Sequence, residues 1–185
     1  MTCIKLDTIS NPDEIDINML VIPGVDVLLH SPVTTYAKNM AQDRGDTFYI
    51  MDLANKGKSI TDATTSAGLQ DTNYAAVYYP WVRILDTSTG KLVWVPPSVV
   101  MAGVIAFTDK VSHEWFAPAG LNRGTINTAK RAERKLTQSN RDEMKVAGVG
   151  AGDFAAAAAK VGGSVAKTGE KKGWWGQPTV RYKGR

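Results

Sequence analysis

Apolar positions along this chain come in short blocks whose spacing switches between two and three to four residues, the pattern of strands alternating with helices. Asn11-Pro12-Asp13-Glu14 reads as a turn, because Asn and Pro both favour one. Residues Ile15 to Ile22 then pass from alternation into an unbroken apolar run closed by Pro23-Gly24, which suits a buried strand. Helical spacing follows from Thr34 to Arg44, with Ala37, Met40 and Ala41 on one face and Gly45 as the stop. Phe48 to Leu53 is the next strand, so strand, helix and strand make a βαβ unit, which implies parallel strands and a right-handed crossover.

Residues 54–73 are polar and rich in Thr, Ser, Asp and Gly, a composition that fits either a long connection or a helix of low propensity. Two apolar runs, Ala75 to Leu85 and Leu92 to Val95, flank the polar segment Asp86 to Lys91. Gly90 can take the positive φ that a hairpin loop needs, so a β-hairpin is expected here. Pro96-Pro97 halts its second strand, and the chain runs apolar again from Val99 to Phe107. An irregular aromatic loop spans Val111 to Arg123. Two helices are expected after it, at Thr128 to Leu136 and at Gln138 to Val146. Thr137 is the N-cap of the second, Asn140 makes a weak capping box, and Gly148 is its end.

These elements add up to a mixed α/β (α+β) fold: a βαβ unit plus a β-hairpin and long strands forming a mixed sheet flanked by helices. Composition changes at Ala147. From there to Gly173 the chain is mostly Ala, Gly and Lys, and it ends on an aromatic, strand-capable segment. Two parts follow, a core domain over 1–147 and an extended, flexible C-terminal arm over 148–185. The chain has 185 residues, 43% hydrophobic and 22% charged, which are globular values. Net charge is +4, but residues 160–185 hold seven Lys or Arg against Glu170 alone, so the basic character belongs to the arm. No signal peptide or membrane-spanning run is apparent, and no cysteine is available to pair with Cys3.

Candidate chemistry is sparse. His30 and His113 lie far apart and lack the company a zinc site needs, and Cys3 has no recognisable base to activate it. Gly162 to Thr168 has Ala166 where a phosphate loop requires Gly, and Gly148 to Gly152 lacks a dinucleotide fingerprint's spacing. Arg44-Gly45-Asp46 spells an adhesion tripeptide but is explained by Gly45 as a helix C-cap. Acids at Asp13, Glu14 and Asp16, and at Asp142 and Glu143, read as solvated or capping groups. Tyr74, Tyr78, Tyr79, Trp81 and Trp94 read as cross-strand partners in a core or interface. No catalytic, cofactor-binding or metal residue is expected, and the chain reads as a non-enzyme. Lys160, Lys167, Lys171, Lys172, Arg181, Lys183 and Arg185 combine with Trp174, Trp175 and Tyr182 into a basic aromatic tail. A nucleic-acid-binding module acting through that tail is the alternative reading.

Several ordered blocks resemble the core of contractile tail sheath proteins of bacteriophages and related injection machines. They are Tyr74 to Val82, Asp86 to Gly90, Val95-Pro96-Pro97-Ser98, Ala102 to Ala106 and Thr108-Asp109, then Trp115, Ala117 to Gly120, Asn122-Arg123-Gly124, Leu136-Thr137-Gln138 and Arg141-Asp142-Glu143. The likeness covers about residues 9–147. A family member of this kind is usually much longer, with an N-terminal arm and outward-facing domains before the core, so a short or fragmentary member is expected. The resemblance implies a virion structural subunit that assembles in the host cytoplasm and becomes part of the tail. Such subunits stack in helical rings around an inner tube and contract to drive it through the host envelope during genome ejection. Implied partners are other sheath subunits, the inner tail tube protein, and a baseplate or tail terminator, with no membrane contact. Trp174, Trp175, Thr179, Val180, Arg181 and Tyr182 are the expected inter-subunit residues, adding a strand to a neighbour's sheet with a Trp as anchor.

Overall fold

A computed structural model describes residues 6–70, 72–113, 126 and 128–147. Its elements are β1 (Met19–Asp26), α1 (Ser31–Arg44), β2 (Phe48–Asp52), α2 (Ile60–Gly68), β3 (Ala75–Tyr78), β4 (Val82–Leu85), β5 (Leu92–Val95), α3 (Pro97–Val111), β6 (Ala129–Ala132) and α4 (Gln138–Val146). The α/β class holds, but the strands divide between two sheets: a parallel one in the order β1-β2-β3 and an antiparallel one in the order β5-β4-β6.

The parallel sheet is covered on both faces, which is why its middle strand is apolar at nearly every position. Leu20, Tyr49 and Met51 point into one core, shared with Ala37, Met40 and Ala41 of α1, Ala63 and Ala67 of α2, and Met144 of α4. The intervening residues Ile50 and Tyr78 point into a second core with Val100, Met101, Val104 and Ile105 of α3. Val82 and, more peripherally, Ile84, Val95 and Ala129 bring one face of the antiparallel sheet into that second core. The result is three layers: helices α1, α2 and α4, then the parallel sheet, then α3 beside the antiparallel sheet.

Several elements differ from the sequence reading. Pro23-Gly24 does not close β1; between Val21 and Asp26 the register with β2 shifts, and Gly24 takes φ 79° inside that irregularity before the strand resumes. Of the two readings open for residues 54–73 the helix is the one found, α2, nucleated by a capping box in which Ser59 Oγ accepts from Asp62 N at 3.0 Å and Asp62 Oδ2 accepts from Ser59 N at 3.1 Å. The run Ala75 to Leu85 is not one hairpin arm. It breaks around the cis Tyr79–Pro80 peptide, so that β3 extends the parallel sheet and β4 enters the antiparallel one. The expected long strands are not found among the described residues, where β1 is the longest at 8 residues, and the apolar run Val99 to Phe107 is the middle of α3. The two prolines that end β5 serve as N-cap and first residue of this helix, a position where the missing N–H costs nothing.

Thr128 to Leu136 is not helical either, because Ala129–Ala132 pairs with β4. The hairpin loop and the last helix agree with the reading. Val82 to Leu85 pairs with Val95 to Leu92, Gly90 has φ 68°, and Thr137 Oγ1 accepts from Asn140 N at 3.3 Å. Residues 148–185, including the arm and Gly148, lie outside the described residues.

Candidate functional site

Parallel strands gather their carboxyl ends at one edge of a sheet, and in open α/β folds ligands and reactive groups usually sit there. In this chain β1 and β2 end on two acids in register, Asp26 opposite Asp52, each 2% exposed. Because Pro96 and Pro97 lack N–H groups, the first donor of α3 is Ser98. Its N–H donates to Asp52 Oδ1 at 3.1 Å and its hydroxyl donates to Asp52 Oδ2 at 2.8 Å. Burial raises the Asp52 carboxyl; the Ser98 bonds and a Gly24 backbone bond oppose this, Asp26 adds to it, and the balance stands at about 6. Burial and the Asp52 charge together also raise the Tyr49 phenol.

Asp26 Oδ1 accepts from Leu29 N at 2.7 Å, whereas Oδ2 is buried without a hydrogen bond, 4.0 Å from His30 Nδ1. A serine, a histidine and two acids thus share one region, but Ser98 is 0% exposed and its hydroxyl is committed to a carboxylate. Substrate has no access to it. The helix α3 closes the crevice, and Asp52 fastens that helix to the sheet.

The expected inter-subunit residues Trp174, Trp175, Thr179, Val180, Arg181 and Tyr182 lie outside the described residues, as do Cys3 and the glycine-rich segments 148–152 and 162–168. Arg44-Gly45-Asp46 is an internal junction. Gly45 is the left-handed C-cap of α1 with φ 73°, and the Arg44 side chain is 1% exposed. Arg44 donates to Ile9 O at 2.6 Å, to Ile15 O at 2.9 Å and to both Asp46 oxygens at 2.9 Å, clamping the segment before β1 onto the end of α1. Tyr36 adds a bond to Asp7. Of the hairpin-region aromatics, Tyr78 and Tyr79 are core, and Trp81 Nε1 donates to Ala54 O at 2.9 Å.

Trp94 faces the other way. On the face of the antiparallel sheet turned from the core, Arg83 lies in register with Trp94 on one side and with Arg131 on the other. The Trp94 ring takes Arg83 at 5.8 Å and Lys56 at 5.0 Å from its centroid, both within cation–π range. Among the described residues the strand order leaves β5 and β6 as the edges of this sheet. Both the buried acids and this face escaped the sequence reading. An Asp ending an apolar strand, and an Arg inside an apolar run opposite a Trp, were the signals present.

No family model matches the chain. The tail sheath protein of Vibrio phage KVP40 is 32% identical over 96 residues, spanning 50% of this chain and 13% of that protein. The tail sheath protein of Enterobacteria phage T4 is 41% identical over 51 residues, 28% of this chain and 8% of that protein. The chain therefore spans a small part of the curated relatives it matches. Its fold is similar to the anti-feeding prophage helical sheath in the contracted state, with a TM-score of 0.59 and 25% identity over 81% of this chain and 38% of that one. In sequence and in fold the chain is similar to contractile tail sheath proteins.

Proposed function

We propose that this chain is a structural, non-enzymatic subunit of a contractile tail sheath. It assembles helically with other copies around an inner tube and shortens to drive the tube through the host envelope during genome ejection. The observation that carries the reading is the structural likeness to a contracted helical sheath over most of the chain, joined by two sequence matches to phage tail sheath proteins. The chemistry of the strand ends supports it, since the buried acid Asp52 there serves to anchor a helix. Work in such an assembly comes from interfaces with two arrangements, the subunits moving as rigid bodies from a higher-energy lattice to a lower one. The subunit functions in the virion tail after assembly in the host cytoplasm, beside the tube protein and a baseplate or terminator.

Negative-stain microscopy of the purified chain, alone and with a tail tube protein, tests this. Helical or ring particles are expected. Solitary particles under both conditions would overturn the reading.

A further inference from the structure

Like charges directly opposite one another on a sheet repel, and a stable sheet normally avoids them. On the outer face of β5-β4-β6, Arg83 and Arg131 are a direct cross-strand pair, and Lys56 stands over the adjacent Trp94. Arg83 Nε is buried without a hydrogen-bond partner. The acid just past the end of β6, Glu133, is drawn off toward the loop after β2, where its Oε1 accepts from Gly57 N at 2.5 Å. Flanking this cationic centre, Leu85 and Leu92 are 43% and 42% exposed. Two cations on an indole, a third paired across the strand from one of them, and apolar side chains beside them make a docking face for an anionic partner that also carries some apolar surface.

A matching surface exists on the chain itself. Residues 6–18 carry Asp7, Asp13, Glu14 and Asp16 and no Lys or Arg. Asp13 and Glu14 are exposed on a turn whose backbone is tied by Ile15 N to Asn11 O at 3.3 Å and by Asp13 N to Asn11 Oδ1 at 3.1 Å. The Arg44 fork grips the segment on both sides of the turn, at Ile9 O and Ile15 O, so its acids are held in place before any partner arrives. This turn precedes β1, at the amino end of the parallel strands, whereas Lys56 follows β2, at their carboxyl end. The two surfaces therefore belong to opposite ends of the strands.

We propose that the Lys56–Arg83–Trp94–Arg131 face of one copy docks the Asp13–Glu14 turn of the next copy, head to tail. Such a contact joins two different patches, so it propagates into a ring or a helix. It deepens the sheath reading, and rests on it for the expectation that the partner is another copy.

The test uses the full chain and three preparations: Arg83→Glu with Arg131→Glu, Asp13→Lys with Glu14→Lys, and an equimolar mixture of the two variants. Sedimentation velocity compares about 50 mM with about 500 mM salt, which spans weak to strong screening. Wild type is expected to self-associate at low salt and to lose about tenfold or more in apparent affinity at high salt. Each variant alone should lose a similar factor, and the mixture should regain association, because each reversed patch then meets its complement on the other variant. Arg83→Gln with Arg131→Gln replaces the first variant if circular dichroism shows that it is unfolded.

Association indifferent to both reversals, or absent from wild type at low salt, overturns the proposal. So does duplex DNA that binds wild type and is lost only from the arginine variant. If rings or tubes form normally from the variants, this contact is wrong while the sheath reading stands. If salt-sensitive, complementary pairing occurs without any ordered particle, the contact stands and the sheath reading fails.

Discussion

A carboxyl group placed in a low-dielectric layer beside a second one holds its proton more tightly than it would in water, and Asp52 is in that position. Its folded pKa of about 6 lies above the ordinary 3.8, so the folded state binds the proton better than the unfolded state does. The stabilisation from this group is complete below about pH 4 and is lost as pH rises through 6, by roughly 3 kcal/mol for a shift near two units. Asp52→Asn, which keeps a carbonyl for Ser98 N, is therefore expected to gain stability relative to wild type between pH 4 and pH 7. Chemical denaturation of both proteins at four pH values reads the difference directly. Parallel curves would mean that the carboxylate is already compensated in the folded state. Arg44 is the opposite case, a buried cation with an acid and backbone carbonyls around it, and its neighbours explain its burial.

Among the elements, α2 has the least to recommend it from propensity, since Thr, Ser, Asp and Gly fill much of it. It exists because its first turn is closed by Ser59 and Asp62 and because Ala63 and Ala67 are small enough to sit flush in the first core. Ser59→Ala should then destabilise the fold by about 1 kcal/mol. Amide hydrogen exchange in 60–68 is expected to accelerate more than exchange in α1, and equal acceleration in both helices would show that the cap is not what holds α2. The hairpin loop between β4 and β5 is tightened in a similar way. Asp86 accepts from Thr89 Oγ1, Ser88 Oγ and Ser88 N, and these bonds lower its carboxyl to about 2.

For the molecule as a whole, the two sheets do different work in the proposed assembly. Among the described residues the parallel sheet is sealed by helices on both faces, whereas the antiparallel sheet has one face and two edges uncovered. A partner strand would add to such an edge through main-chain hydrogen bonds, and the segment Thr179 to Tyr182, with Trp174 or Trp175 as anchor, is our candidate for it. Deleting residues 170–185 should abolish ordered particles in negative stain while leaving the thermal transition of the monomer within a few degrees. Normal rings or tubes from the truncated chain would dismiss the arm as an assembly element.

Local patterns were enough for much of the fold. The spacing of Ala37, Met40 and Ala41, the apolar strand from Phe48, the loop with Gly90 and the Thr137 cap are set by interactions within a few residues, and the structure has each of them. The ordered sheath-like blocks were legible for the same reason, being contiguous in the chain. Tertiary structure alone decided which of two similar apolar runs became β3 and which became α3, since either could have satisfied its backbone locally and only the layer it packed against chose. It also brought Ser98 to Asp52 across 46 positions, paired Ala129–Ala132 with β4, and put Arg83 beside Arg131. Such contacts depend on how the strands line up across the sheets, and separations of that length leave no periodic trace in the sequence.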